Sequence, residues 1–117
     1  MATPILRQGD VLIASLQPDL TDGDLARLRD ELAEAVGSAR ARGVILDVSA
    51  LDVVDSFAAR TLRAIAHTAR LRGARTVIVG IQPDVAFSMV QLGITLEDVS
   101  TALDLGEGMA VLGRAPA

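Results

Sequence analysis

Among the groups in this chain that could do chemistry, the hydroxyl of Ser56 has the most informative surroundings. It lies in the run Asp52-Val53-Val54-Asp55-Ser56-Phe57, which joins the end of an aliphatic stretch to the start of a helical pattern. Asp55 stands where an N-cap belongs, and Ser56 falls in the first helical turn. Two readings follow. Asp-Ser is ordinary capping chemistry, or the hydroxyl is an exposed acceptor for a phosphoryl group. A phosphate there would meet free backbone N–H groups and the positive end of the helix dipole, while Asp55 would repel it. A third role, catalytic nucleophile, needs a base within hydrogen-bond reach. The single histidine, His67, is eleven residues further along the same predicted helix, about 16 Å away at 1.5 Å per residue. No G-x-S-x-G elbow surrounds Ser56 either.

Other constellations fail their templates. Asp19, Asp22 and Asp24 do not fit an EF-hand, because taking Gly23 as the loop glycine puts Pro18 at the first ligand position. Capping of a helix start explains these acids. Gly106-Glu107-Gly108 lacks the spacing and the leading strand of a dinucleotide site, and no P-loop is present. The residues thus give no catalytic group, no metal site and no cofactor. With no cysteine, disulfides and thiol chemistry are excluded. The net charge is −4, every cation is Arg, and the aromatic residues are Phe57 and Phe87. That argues against nucleic acid, which calls for clustered cations or stacking platforms. No apolar run approaches the roughly 20 residues of a membrane span, and the first ten residues do not read as a signal peptide. The expected address is cytoplasmic.

These residues need a scaffold, and 117 residues, half of them hydrophobic, suffice for one domain, 1–117, around one core. The pattern alternates between strand and helix, as in an α/β fold. Strands are expected at 4–8, 10–16, 44–48, 76–79 and 97–100. Helices are expected near 24–42, ended by Gly43 with Arg40 and Arg42 in the last turn, then at 56–72, 83–92 and 101–112. The 113–117 tail is expected to fray. Strand 44–48 lacks alternation, so it should be central and covered on both faces. After an antiparallel first strand the sheet should be mostly parallel, with its function where strands end and helices begin. That directs attention to Ser49–Ser56 and Gly80–Pro83. Val85, Phe87, Met89, Val90 and Leu92 are too many apolar residues for one face of a short helix, so some should be exposed to a partner.

Three segments, VILDVSALDVVDSF, GIQPDVAFSMVQLGI and TALDLGEGM, resemble the STAS domain family of anti-sigma-factor antagonists, and within it the stressosome scaffold branch of the RsbS type. Ser56 and Gln82, where sensory relatives tend to have Thr and Arg, and Phe57 after Asp-Ser carry that distinction. The resemblance covers nearly the whole chain. It implies a STAS (SpoIIAA-like) α/β fold, with a mixed, mostly parallel β-sheet and about four helices. It also implies a protein that is not an enzyme and is phosphorylated on Ser56, with Asp55, Phe57, Gln82 and Pro83 docking a partner. The implied partners are a GHKL-type serine/threonine switch kinase of the RsbT type, sensory STAS paralogues of the RsbR type in a homo- or hetero-oligomer, and a phosphatase that resets Ser56. The alternative is a simple antagonist that binds an anti-sigma kinase directly in a partner switch.

Overall fold

The computed structural model describes residues 3–91, 93 and 99–113. The expected ends at Leu92, Glu97 and the last four residues lie outside them. The described chain runs β1 (Ile5–Gln8), β2 (Val11–Ser15), α1 (Asp22–Ala39), β3 (Gly43–Asp47), α2 (Ser56–Leu71), β4 (Arg75–Val79), α3 (Pro83–Gln91), β5 (Ser100–Ala102) and α4 (Leu105–Gly113). The five strands form one sheet in chain order. β1 pairs antiparallel with β2 around the Gly9-Asp10 turn, and β2 to β5 are parallel.

β3 is central, as its unbroken aliphatic run predicts, and Val44, Ile45 and Leu46 are fully buried. Alternate residues serve two cores. Leu12, Ala14, Val44, Leu46 and Ile78 face α1, α2 and the Val85 and Met89 side of α3. Val11, Ile13, Ile45, Val77 and Val79 face the other way, toward Leu112 of α4. α2 buries Ala58, Leu62, Ile65 and Ala69 on one stripe, the helical spacing doing what it forecast.

The ends of elements differ from expectation where local packing overrides pattern. Thr21 caps α1 in a capping box. The Asp24 N–H donates to Thr21 Oγ1 at 3.1 Å, and the Thr21 N–H donates to Asp24 Oδ2 at 3.0 Å. That second bond holds the Asp24 carboxyl below its ordinary range, so the box is intact above the usual Asp titration and weakens as pH falls through the lowered value. The helix stops at Arg40, not Gly43. Arg40 is left-handed (φ 49°), and the Ala41 N–H returns to the Val36 carbonyl at 3.1 Å. Arg42 lies beyond the helix, 3.0 Å from Asp10, while Gly43 opens β3 and pairs with Val11. Stopping early lets Ala41 bury and starts β3 in register.

The last strand is shifted as well. It occupies Ser100–Ala102, paired with Val77–Val79, so Thr101 and Ala102 belong to the sheet and not to the final helix. Asp104 then caps α4, its Oδ1 accepting from the Glu107 N–H at 2.8 Å. Gly108, read in the sequence as a helix weakener, is where α4 touches the sheet, since a Cβ there would sit 2.8 Å from Val79 Cγ1. Gly108→Val is therefore expected to destabilise the protein by about 1–3 kcal/mol through overpacking. The check is a lower urea midpoint; an unchanged midpoint would mean that α4 does not press on β4.

Candidate functional site

The parallel order sets the carboxyl ends of β2 to β5 and the amino ends of all four helices at one pole of the molecule. Ser56 sits there, on the connection between β3 and α2. Buried Val48, Leu51 and Val54 pin that connection to the core. Asp47 Oδ1 accepts from the Ser49 N–H at 2.9 Å, and the Leu51 N–H reaches the Val48 carbonyl at 3.0 Å. The loop is thus a folded turn with its own bonds.

Asp55 is the N-cap of α2, with extended backbone angles (φ −81°, ψ 177°). Its Oδ1 accepts from the Ala58 N–H at 2.8 Å. Ser56 follows at the first helical position, exposed to solvent. Phe57 is half-buried against the core, and its carbonyl accepts the Thr61 hydroxyl at 2.9 Å. His67 is exposed, far along the same helix. Among the described residues no side chain is hydrogen-bonded to the Ser56 hydroxyl.

A second turn locks onto the first. Gly80 ends β4 with φ +78°, and a Cβ built on it would lie 2.7 Å from Ser49 Cβ. Only a residue without a side chain, in the left-handed region, allows this approach. Two residues later, Gln82 Nε2 donates to the Ser49 carbonyl at 2.8 Å. Pro83 then starts α3, exposed, with its fixed φ suited to a first helical position.

All five residues singled out in the sequence therefore meet at one pole, with different tasks. Ser56 and Pro83 face solvent, Asp55 is exposed but caps α2, Phe57 anchors, and the Gln82 amide is used inside the chain. Of the exposed apolar side chains, Val53 (77%) lies in the same connection as Ser56, Leu103 (81%) and Leu105 stand at the start of α4, and Phe87 (65%) and Val90 (75%) lie one and two turns along α3. Exposure on α3 was expected. Val53 was not singled out, although two adjacent valines in a loop cannot both turn inward. The surroundings are acidic: Asp52, Asp55 and Asp84 are exposed at this pole, and the nearest cation along α2 is Arg60, one turn on. Among the described residues no three or more acidic or histidine side chains converge as a metal site would need.

Comparison with known proteins agrees with this geometry. Residues 3–107 match the STAS domain family. The RsbT co-antagonist protein RsbRA of Bacillus subtilis is 32% identical over 83 residues, which is 71% of this chain but 30% of that protein. The chain thus corresponds to under a third of that relative's length. Among solved structures, a Moorella thermoacetica RsbS carrying a serine-to-glutamate substitution superimposes with a TM-score of 0.85 at 32% identity, covering 95% of this chain and 94% of that one. A chain from the molecular architecture of the stressosome, a signal integration and transduction hub, matches with a TM-score of 0.83 at 34% identity, covering 94% and 96%. The unphosphorylated anti-sigma factor antagonist SpoIIAA shares the fold, at 12% identity and a TM-score of 0.72 over 98% of this chain and all of that one.

The Gln82 strut yields a test. Gln82→Glu keeps the shape but places a carboxylate against the Ser49 carbonyl, whereas Gln82→Lys keeps a donor. Loss of a neutral hydrogen bond costs about 0.5–1.5 kcal/mol, so Gln82→Glu is expected to raise amide exchange in residues 49–55 by about two- to tenfold, and Gln82→Lys by less. Equal exchange in both variants and the wild type would show that the strut does not hold the loop.

Proposed function

The chain belongs to the STAS domain family, and from that premise we propose that it is a stressosome scaffold that holds a GHKL-type serine/threonine switch kinase of the RsbT type and releases it when Ser56 is phosphorylated. The observation that carries this reading is the exposed Ser56 hydroxyl at the start of α2, beside an Asp55 carboxylate that is committed to the Ala58 N–H, within a partly apolar and acidic surface. Such a hydroxyl is open to a phosphoryl donor and lacks the hydrogen-bonded base that activates a nucleophile. The relatives supply the partner class: RsbRA is named a co-antagonist of RsbT, and the stressosome chain matches over nearly its whole length.

Val53, in the same connection as Ser56, and Phe87, one turn into α3, give the kinase an apolar seat, and Phe57 and the Gln82 strut keep the two turns that carry it in place. A phosphate adds about −1.5 to −2 charges. Asp55 is committed to the Ala58 N–H and keeps its charge beside the new group, and Asp52 and Asp84 add to the field. Against these three carboxylates the nearest cation along α2 is the single Arg60, one turn on. The phosphate therefore enters the contact as a strongly hydrated group among more carboxylates than cations, which costs desolvation and repulsion on the kinase-bound side. RsbR-type sensory paralogues are the other members of the assembly, and a phosphatase restores the serine. The chain itself does no chemistry, and this cycle runs in the cytoplasm.

Incubation with the cognate kinase and ATP is expected to add one phosphate, mapped to Ser56 by mass spectrometry. Ser56→Ala should keep fold and kinase binding but take up no phosphate. Modification at another residue, or normal stress signalling in cells carrying only Ser56→Ala, would overturn the proposal.

A further inference from the structure

We propose that the cavity at the amino end of β4, at the pole opposite Ser56, is a binding site for a small phosphate monoester. Its volume is about 340 Å³, within the roughly 300–1,000 Å³ of small-molecule sites. Arg75 and Thr76 of β4 and Ser100 of β5 form its polar wall, and Ala66, Ala74 and Val99 its apolar one. Exposed Arg70 stands at the rim. β5 joins the sheet only at Ser100, level with Val77, so Arg75 and Thr76 precede the paired stretch and border the opening. No motif in the sequence marks this site, because its walls come from three separate segments.

Two polar atoms identify the ligand. Thr76 is 4% exposed, and its hydroxyl is buried without a hydrogen-bond partner; so is Nη1 of half-buried Arg75. The other terminal nitrogen of Arg75, Nη2, donates to Ser100 Oγ at 3.4 Å. That bond ties the guanidinium to β5 and leaves the Ser100 proton to donate in turn. A buried polar atom with no partner costs stability, and valine, shaped like threonine, would fill position 76 without that cost. Threonine there forgoes stability for a bond that a ligand completes. Three donors, a permanent positive charge and no carboxylate among the described lining residues call for an oxyanion. A phosphate brings three acceptor oxygens and a charge of about −1.5 to −2; a carboxylate has two oxygens and a single charge. The apolar wall then takes a short organic group. The carboxyl end of α2 opposes an anion through its dipole, but two of its last carbonyls are already engaged. That of Ala69 accepts from the Ala74 N–H at 2.9 Å, and that of Arg70 from the Gly73 N–H at 3.0 Å.

Phenyl phosphate is the probe, with inorganic phosphate and benzoate beside it. In calorimetric titration at constant ionic strength, phenyl phosphate is expected to bind saturably, at one site per chain and more tightly than either of the others. Arg75→Gln should weaken that binding at least about tenfold. Thr76→Val should weaken it about three- to tenfold, with an unfolding temperature equal to or above that of the wild type. Lost affinity with kept stability separates a ligand contact from a structural one. Glu97 and Asp98 precede Val99 in the chain and are the rival anions. Replacing both, by Glu97→Gln and Asp98→Asn, should leave the affinity for phenyl phosphate equal or raised. Five results would each overturn the proposal: no saturable binding to the wild type, inorganic phosphate or benzoate bound as tightly as phenyl phosphate, equal affinity in Arg75→Gln, earlier unfolding of Thr76→Val, or binding only when Glu97 and Asp98 are replaced. None of these readouts involves the kinase or Ser56, so failure of the switch would leave this site standing.

Discussion

The constraint on which the structure depends is the burial of β3 on both faces. Val44, Ile45 and Leu46 have no access to solvent, so helices must cover the strand from each side and its neighbours must supply every backbone partner. Parallel pairing with β2 and β4 follows, with a helical crossover in each connection. Once the strands run the same way, each crossover helix starts at the same pole. The site is a consequence: the turns after β3 and β4 are neighbours because their strands are, and Ser56 is presented there because α2 must begin there.

The same topology sorts the charges. Helix starts select carboxylates for capping, as Thr21 with Asp24, Asp55 and Asp104 show, and helix ends tolerate arginine. The pole that carries Ser56 is acidic as a by-product of helix formation. Under the proposed switch, a phosphate added there meets Asp52, Asp55 and Asp84, with Arg60 one turn along α2 as the nearest cation on that helix, and modification would make this surface a worse match for whatever is bound. That differs from switches in which a phosphate draws an arginine and orders a loop. In this protein the loop is ordered beforehand, by Asp47, by the Gln82 strut and by the contact of Gly80 with Ser49.

Much of this was legible in the residues. Aliphatic runs located the strands, the apolar stripe of α2 located its helix, and Asp55-Ser56 announced the junction, because each is a local property of a few neighbouring residues. What escaped was set at a distance. The early stop of α1 at Arg40 reflects the register of β3 against β2. The helix-weakening look of Gly108 hid a contact with Val79 on another element. The role of Gln82 could not be read because its partner is a backbone carbonyl 33 residues away, which leaves no trace in side-chain type. The exposure of Val53 was decided by which of two adjacent valines, 53 or 54, the core would accept.

The central claim is that phosphate on Ser56 lowers affinity for the kinase. The most direct measurement is calorimetric titration of the purified switch kinase into unphosphorylated protein and into protein carrying one phosphate on Ser56. A destabilisation of about 1–3 kcal/mol, a Kd raised by about 5- to 150-fold, is the expected result. An equal or tighter Kd for the phosphorylated form would contradict the account.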